Sequence, residues 1–375
     1  MKISTGLLAV AAMLVIIVSL FTAIEWFWNG ESSPKIFVGV EFAYGSINDC
    51  KELVDKVKYY TNLFVVGLPE LTFNQAELNE ICDYIYNAGL HFIIMFTNPQ
   101  AYMYYHPYVW IKKAAEKYGE KFLGVYYYDE PGGKQLDGDR GRMVVEAENY
   151  TEAANIYVDY LRGHLEYYLY SGVKVFTSDY GLYWFDFKAG YDVVFAQFGW
   201  NHSRLLNIAL CRGAAKVQRK EWGVIITWTF THPPYLESGD ELYNDLVLAY
   251  KAGAKYFVVF SYPNITRYGT LTEDHFEALE NFWDYVQRNP KEHGVYNGDV
   301  GYVLPKDYGF GFRGPHDTIW GLWDGDSLAE IIWQDSWDLA DEHQFKLDVI
   351  YYDDKFSNAI KNSYKKLFFC DETST

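Results

Sequence analysis

Two adjacent carboxylates, Asp129 and Glu130, close the apolar run Phe122–Tyr128 and are followed at once by Pro131, Gly132 and Gly133. A run rich in Val and Tyr favours a buried strand, whereas Asp and Glu are seldom buried unless paired or put to use. Acids at the mouth of such a strand are either a structural pair or proton-transfer groups. Glycoside cleavage needs one carboxyl kept protonated and one ionised, and adjacent acids among aromatic rings can split their titrations by repulsion and desolvation. On that chemistry Glu130 is the candidate general acid and Asp129 its partner. Asp179 and Glu41, at the ends of two other β-rich runs, are further candidates for the second carboxylate. Neighbouring residues on a strand face opposite sides, so the pair need not enter one pocket together.

Tyr44, Asn98, Tyr128, Gln197, Trp200, Trp228 and Tyr262 fall at or just beyond the carboxyl ends of similar runs. Rings there can stack on a sugar, and the amides can bind hydroxyls. Core packing is the competing reading for each ring. No His/Cys/Asp cluster has metal spacing, and no serine elbow, Walker loop or dinucleotide fingerprint occurs. Neither a metal nor an organic cofactor is therefore expected, and a metal-dependent deacetylase lacks its His-rich site.

The elements that must position these groups alternate in type. Strands are expected at 36–44, 63–68, 91–97, 122–128, 174–179, 192–198, 222–230 and 256–262, each followed by a helical stretch. Leu78, Ile81, Cys82 and Ile85 share one helical face, as do Ala154, Tyr157, Val158 and Leu161. Capping boxes are expected at Asn74–Glu77 and Thr270–Glu273. Eight strand-then-helix units predict an α/β fold, a closed (β/α)8 TIM barrel over 31–290. A doubly wound open sheet is the alternative, but it lacks its Gly-rich loop. The segment 131–149 reads as a long Gly-rich loop on the side where barrel active sites form. Residues 291–375 read as a small α/β appendage, with strands at 300–304, 347–352 and 367–370 and a helix at 327–342.

Residues 1–30 form a separate module. Gly6 to Ile24 carry no charge, and Trp26, Phe27 and Trp28 follow like an interfacial belt. A single-pass transmembrane anchor with the bulk of the chain outside is expected; a cleaved signal peptide is the alternative. The sequons at Asn149, Asn201 and Asn264 agree with an exterior location. A net charge of −18 argues against a nucleic-acid partner. Four scattered cysteines are expected as buried thiols, although Cys50 and Cys82 fall on consecutive helices and could pair.

The Tyr-Asp-Glu-Pro stretch 128–131 resembles the Asn-Glu-Pro signature of retaining barrel glycoside hydrolases, in which that Glu is the acid/base. It also resembles the Asp-Glu pair of substrate-assisted hexosaminidases, whose Glu protonates the leaving oxygen while the Asp steers the substrate's acetamido group. The whole chain is similar to archaeal membrane-anchored hydrolase-like proteins. These resemblances imply an O-glycosyl hydrolase with a carbohydrate substrate and Glu130 as acid. One departure stands out. The seventh strand carries no carboxylate until Glu237, where the retaining enzymes have their nucleophile. A noncatalytic carbohydrate-binding or surface-scaffold protein on a degenerate barrel is the alternative function.

Overall fold

The β-branched and aromatic runs form strands that close on themselves. In the computed structural model, which describes residues 35–98 and 101–370, eight parallel strands pair in chain order. They are β1 (Phe37–Phe42), β2 (Leu63–Val66), β3 (His91–Phe96), β4 (Phe122–Tyr127), β5 (Lys174–Asp179), β6 (Val193–Phe198), β7 (Glu221–Ile226) and β8 (Tyr256–Phe260). β8 pairs back onto β1 with Phe37 opposite Tyr256, so the sheet is a closed barrel. The open-sheet alternative is excluded.

Side chains alternate across this wall with period two. Phe37, Leu63, Val65, Ile93, Tyr126, Phe176, Phe195, Ile225 and Val258 point inward and fill the barrel. Val38, Val40, Phe42, Val125, Tyr127, Val194 and Phe257 point outward and pack beneath the helices. At the amino ends of the strands, Glu221 pairs with Lys174 and Lys255 and accepts the Tyr256 hydroxyl at 2.7 Å. Burial opposes its charge, but the bonds from Lys174, Lys255 and Tyr256 outweigh that and hold the carboxyl at about 2.

The helix Gln75–Asn87 starts where the sequence indicates, with the Asn74 side chain accepting from the Ala76 N–H at 3.0 Å. The expected Thr270–Glu273 box lies two residues further on. Thr272 is the N-cap of Glu273–Arg288, and its N–H donates to His275 Nδ1 at 3.0 Å. The expected loop 131–149 also needs correction: Pro131–Leu136 is a short helix with Pro in its first turn. The rest of that segment wraps onto the fully buried Gln135. Its amide donates to the Val144 and Trp320 carbonyls at 3.0 and 2.8 Å and accepts the Met143 and Val144 N–H groups at 3.0 and 2.8 Å.

Beyond the barrel, β9 (Val300–Leu304), β10 (Leu347–Tyr351) and β11 (Lys366–Phe369) make a parallel sheet in the order β10-β9-β11. The barrel and this sheet belong to one compact unit. Arg212, on the barrel helix Arg204–Gln218, joins them. It donates to Asp348 at 2.7 Å and to the Phe345 and Leu347 carbonyls at 2.8 and 3.0 Å. Cys50, Cys82, Cys211 and Cys370 are buried free thiols. The expected membrane span at 6–24 lies outside the described residues; among those described, no helix is long and apolar enough to cross a membrane.

Arg212 and Asp348 are both buried, so removing one leaves the other uncompensated. Arg212→Ala is expected to lower unfolding free energy by roughly 3–5 kcal/mol, read from urea denaturation. A loss below about 1 kcal/mol, the range of exposed pairs, would show that the clamp carries little.

Candidate active site

The period-two alternation that fills the barrel also sets its mouth. Glu41 on β1 shares the inward face with Phe37, as do Tyr126 on β4, Ser178 on β5 and Gln197 on β6 with their own strand partners. These residues, with Asp129, Glu130, Trp200, Trp228 and Tyr262, line a cleft of ≈ 640 Å³ at the carboxyl ends of the strands. That is the end of the barrel where active sites form.

Alternation alone would send Asp129 and Glu130 to opposite sides. The strand ends first. β4 stops at Tyr127, and Tyr128 and Glu130 adopt left-handed backbone, with φ of 58° and 52°. Such conformations are uncommon outside glycine and concentrate at functional turns. The turn brings both carboxyls into the cleft. It is pinned by the Glu130 N–H donating to the Ser178 carbonyl at 3.1 Å.

Asp179 supports this turn from behind. A candidate catalytic acid by sequence, it does not line the cleft. It has the parity of Val175 and Thr177, opposite to Ser178, and so points away from the barrel interior. Its fully buried carboxylate accepts the N–H groups of Gly132, Gly133, Tyr180 and Gly181 at 2.5–3.2 Å. Gly133 must be glycine here, because a Cβ would lie 2.1 Å from the Tyr180 ring. Burial raises Asp179 to about 6 against the pull of those amides. Asp186, also fully buried, is pushed well up by burial and by the Asp179 charge, and it accepts the Tyr157 hydroxyl at 2.6 Å.

Two cleft acids, Glu130 and Glu41, are tuned upward. Burial, then the Asp129 charge, raises Glu130 to about 7, although Gln197 Nε2 donates to Glu130 Oε1 at 2.7 Å and opposes the shift. Asp129 accepts from the Tyr126 hydroxyl and from Ser178 Oγ at 3.4 Å. Burial and then the charges of Asp129 and Glu130 raise Glu41 to about 8. Glu41 leans over β2 into space left by Gly67, where a Cβ would come within 2.0 Å of Glu41 Oε1. The result is one acid poised near neutrality beside a charged neighbour, the arrangement general acid catalysis needs.

One wall is aromatic. Trp228 stacks with Tyr262 (ring centroids 6.0 Å apart, 22° between planes) and meets Trp200 edge-on at 6.2 Å. Trp228 Nε1 donates to the Tyr262 carbonyl at 2.7 Å. Of the predicted binding residues, Gln197, Trp200, Trp228 and Tyr262 converge on the cleft. Three others do not. Tyr44 is buried against Phe42 on the outward side of β1. Tyr128 is turned aside, its hydroxyl donating to the Gly141 carbonyl at 2.8 Å. Asn98 is exposed beyond β3 and is not among the cleft residues. Glu237 does not fill the strand-seven role, since it is buried and paired with Arg204 at 3.0 Å.

Sequence reasoning does not single out Tyr126 or Arg313. Tyr126 reads as strand filler, although its inward parity is a usable signal. Arg313 comes from the segment after β9 and has no local signature. It reaches the cleft rim, pairs with Asp137, and binds Asp317 at 2.8 and 2.9 Å. Among the described residues no group of His, Cys, Asp and Glu forms a metal site.

No family model matches the sequence, and no curated protein matches it. Solved structures resemble it in part. The catalytic module of a family 98 glycoside hydrolase from Streptococcus pneumoniae TIGR4 aligns with a TM-score of 0.49 at 10% identity, over 91% of this chain and 66% of that one. Alpha-L-fucosidase isoenzyme 2 from Paenibacillus thiaminolyticus gives 0.45 at 11% identity, over 72% of this chain and 52% of that one. A truncated 3-deoxy-D-arabino-heptulosonate 7-phosphate synthase from Thermotoga maritima gives 0.37 at 8% identity, over 69% and 89%. The chain spans about half the length of the fucosidase and about two thirds of the family 98 module. The barrel assignment rests on its own strand ladder, not on these likenesses.

The raised Glu41 has a consequence for stability. Its carboxyl binds a proton more tightly folded, at about 8, than at its ordinary 4.5. That contribution is fully present below pH 4.5 and is lost as pH climbs towards 8. Glu41→Gln is therefore expected to lose less stability between pH 5 and pH 8 than the parent, read as urea midpoints. Parallel pH curves for the two proteins would contradict the shift.

Proposed function

We propose that the cleft is the active site of a glycoside hydrolase acting on O-glycosidic bonds, with Glu130 as general acid. The observation that carries this reading is a half-buried carboxyl raised to about 7 beside the charge of Asp129, in an open cleft with an aromatic wall. Glu130 gives its proton to the glycosidic oxygen as the C1–O bond breaks. Water then bonds to C1 and yields a proton to a cleft carboxylate, so the products together gain one water. Asp129, positioned by Tyr126 and Ser178, places negative charge beside the positive charge developing on the sugar ring. Glu41, raised to about 8, is protonated at neutral pH and serves as a hydrogen-bond donor to a sugar hydroxyl. Trp228 and Tyr262 offer faces on which a pyranose can stack.

The proposal includes location: a membrane-anchored protein with its bulk outside the cell, supported by the uncharged segment 6–24. The side chains of Asn149 and Asn264 are exposed, as N-glycan acceptors must be.

Glu130→Gln preserves shape and removes the proton, so kcat on a hydrolysed glycan is expected to fall about 10²–10⁴-fold with folding intact. Because Glu130 must be protonated to act, activity should decline as pH rises past about 7. Asp129→Asn removes the charge that raises it, and the alkaline limb of any residual activity should move to lower pH. Equal turnover by Glu130→Gln and the parent would end the hydrolytic reading. Sugar binding without cleavage, with no loss in that variant, would favour the noncatalytic carbohydrate-binding alternative, which the absence of a strand-seven acid in the cleft motivates.

A further inference from the structure

A second hollow of ≈ 410 Å³ adjoins the cleft. Tyr180, His202 and Arg313 line both, so the two are adjacent and share these side chains as a common wall. The far end is formed by Trp333 and Trp337 of the helix Ser327–His343, which meet nearly edge to face at 5.7 Å and 72°. Trp333 packs partly against the core, while Trp337 is 38% exposed. We propose that this hollow is a distal carbohydrate subsite. It binds an uncharged sugar unit of a chain that continues out of the cleft, with Trp337 as its stacking surface. The proposal rests on the reading of the cleft as a sugar site and extends it to a polymeric or oligomeric substrate.

Three observations select this occupant. Adjacency comes first: the hollow begins on the far side of Tyr180 and His202, which also line the Glu130 cleft, and each space falls within the roughly 300–1,000 Å³ of small-molecule sites. The charges are already paired. Arg313 is committed to Asp137 and Asp317, and His202 is held below its ordinary value by burial and by Arg313 and Arg204, hence neutral near pH 7. A wall of Asn201, Ser203 and a neutral imidazole suits hydroxyl groups, and offers no unpaired cation to a uronate or sulfate. Last is the corner formed by two indoles. Its electron-rich faces match the C–H face of a pyranose, while the ring edges leave room for equatorial hydroxyls.

The test reads binding, so it does not depend on hydrolysis. The full chain carrying Glu130→Gln, made in a host that adds no N-glycan at Asn201, is titrated calorimetrically with cello-, chito- and manno-oligosaccharides of one to six units. Affinity is expected to rise with chain length for the series that fits. Adding Trp337→Ala should remove up to about tenfold of that gain, the worth of one aromatic stacking contact. Trp337→Phe keeps a flat face and should retain most of the gain, which separates lost stacking from lost fold. Length dependence unaltered by Trp337→Ala, or no binding at any length, overturns the subsite. If length dependence is lost as expected but the parent protein cleaves no glycan, the subsite stands and only the hydrolytic reading fails. Hydrolysis with affinity independent of length removes the subsite and leaves the hydrolytic reading intact.

Discussion

The arrangement of the cleft depends on one buried carboxylate that does no chemistry of its own. Asp179 gathers four backbone N–H groups from two chain segments, Gly132 and Gly133 after β4 and Tyr180 and Gly181 after β5. A buried charge without partners is costly, and one that accepts several amides is strongly directional. The turn after β4 is thereby locked to the neighbouring strand. That lock lets Tyr128 and Glu130 hold left-handed backbone, which is unfavourable unless surrounding contacts impose it. Without the lock, the pleat of β4 would send Asp129 and Glu130 to opposite faces. Replacing the Asp179 carboxylate would cost the geometry of Glu130 before any proton was moved.

Electrostatics then follow from what the cleft lacks. The cation at its rim, Arg313, has its charge matched by Asp137 and Asp317. Lys134 is turned towards the Asp129 backbone carbonyl and the Tyr128 ring, which it overlies at 5.7 Å. Burial therefore acts on Glu41 and Glu130 with little to oppose it, and both carboxyls rise. The hydrogen bond from Gln197 favours ionised Glu130, yet burial and the Asp129 charge win. The opposing bond from Gln197 and the charge of Lys134 leave the acid near neutrality rather than permanently protonated.

Much of this is legible in the sequence. Each of the eight barrel strands starts within one residue of its expected position, because Val, Ile, Phe and Tyr runs bounded by Gly and Asn speak clearly for buried parallel strands. Glu41, Asp129, Glu130 and Gln197 are legible for a similar reason: polar side chains at the carboxyl ends of apolar strands need an explanation. Asp179 is easily misjudged although the sequence carries the signal. Counting by twos from Phe176 puts Ser178 inside the barrel and Asp179 outside, and the same count from Phe42 turns Tyr44 outward. The capping site at Thr272 is obscured because His275 takes the place usually held by Glu or Gln. Arg313 is not legible at all. Its partner Asp137 is 176 residues away, and no local pattern encodes a contact between the appendage and the loop after β4.

The missing acid on β7 gains a structural explanation from the same alternation. The β7 side of the cleft presents Ile225, Thr227 and Trp228, none of which can take or give a proton at neutral pH. β1 supplies the third carboxyl instead. Glu41 has inward parity, and just past the end of β2 position 67 is glycine, so the Glu41 side chain occupies the space a Cβ there would fill. Coupling among Glu41, Asp129 and Glu130 is strong enough for each charge to help raise Glu41. That requires the three groups to share one poorly solvated volume, since charges separated by water barely interact. Gly67 is thus as much part of the acid cluster as the carboxylates are. A side chain there would push Glu41 off the β4 acids, relax its protonation and leave Glu130 facing Asp129 alone.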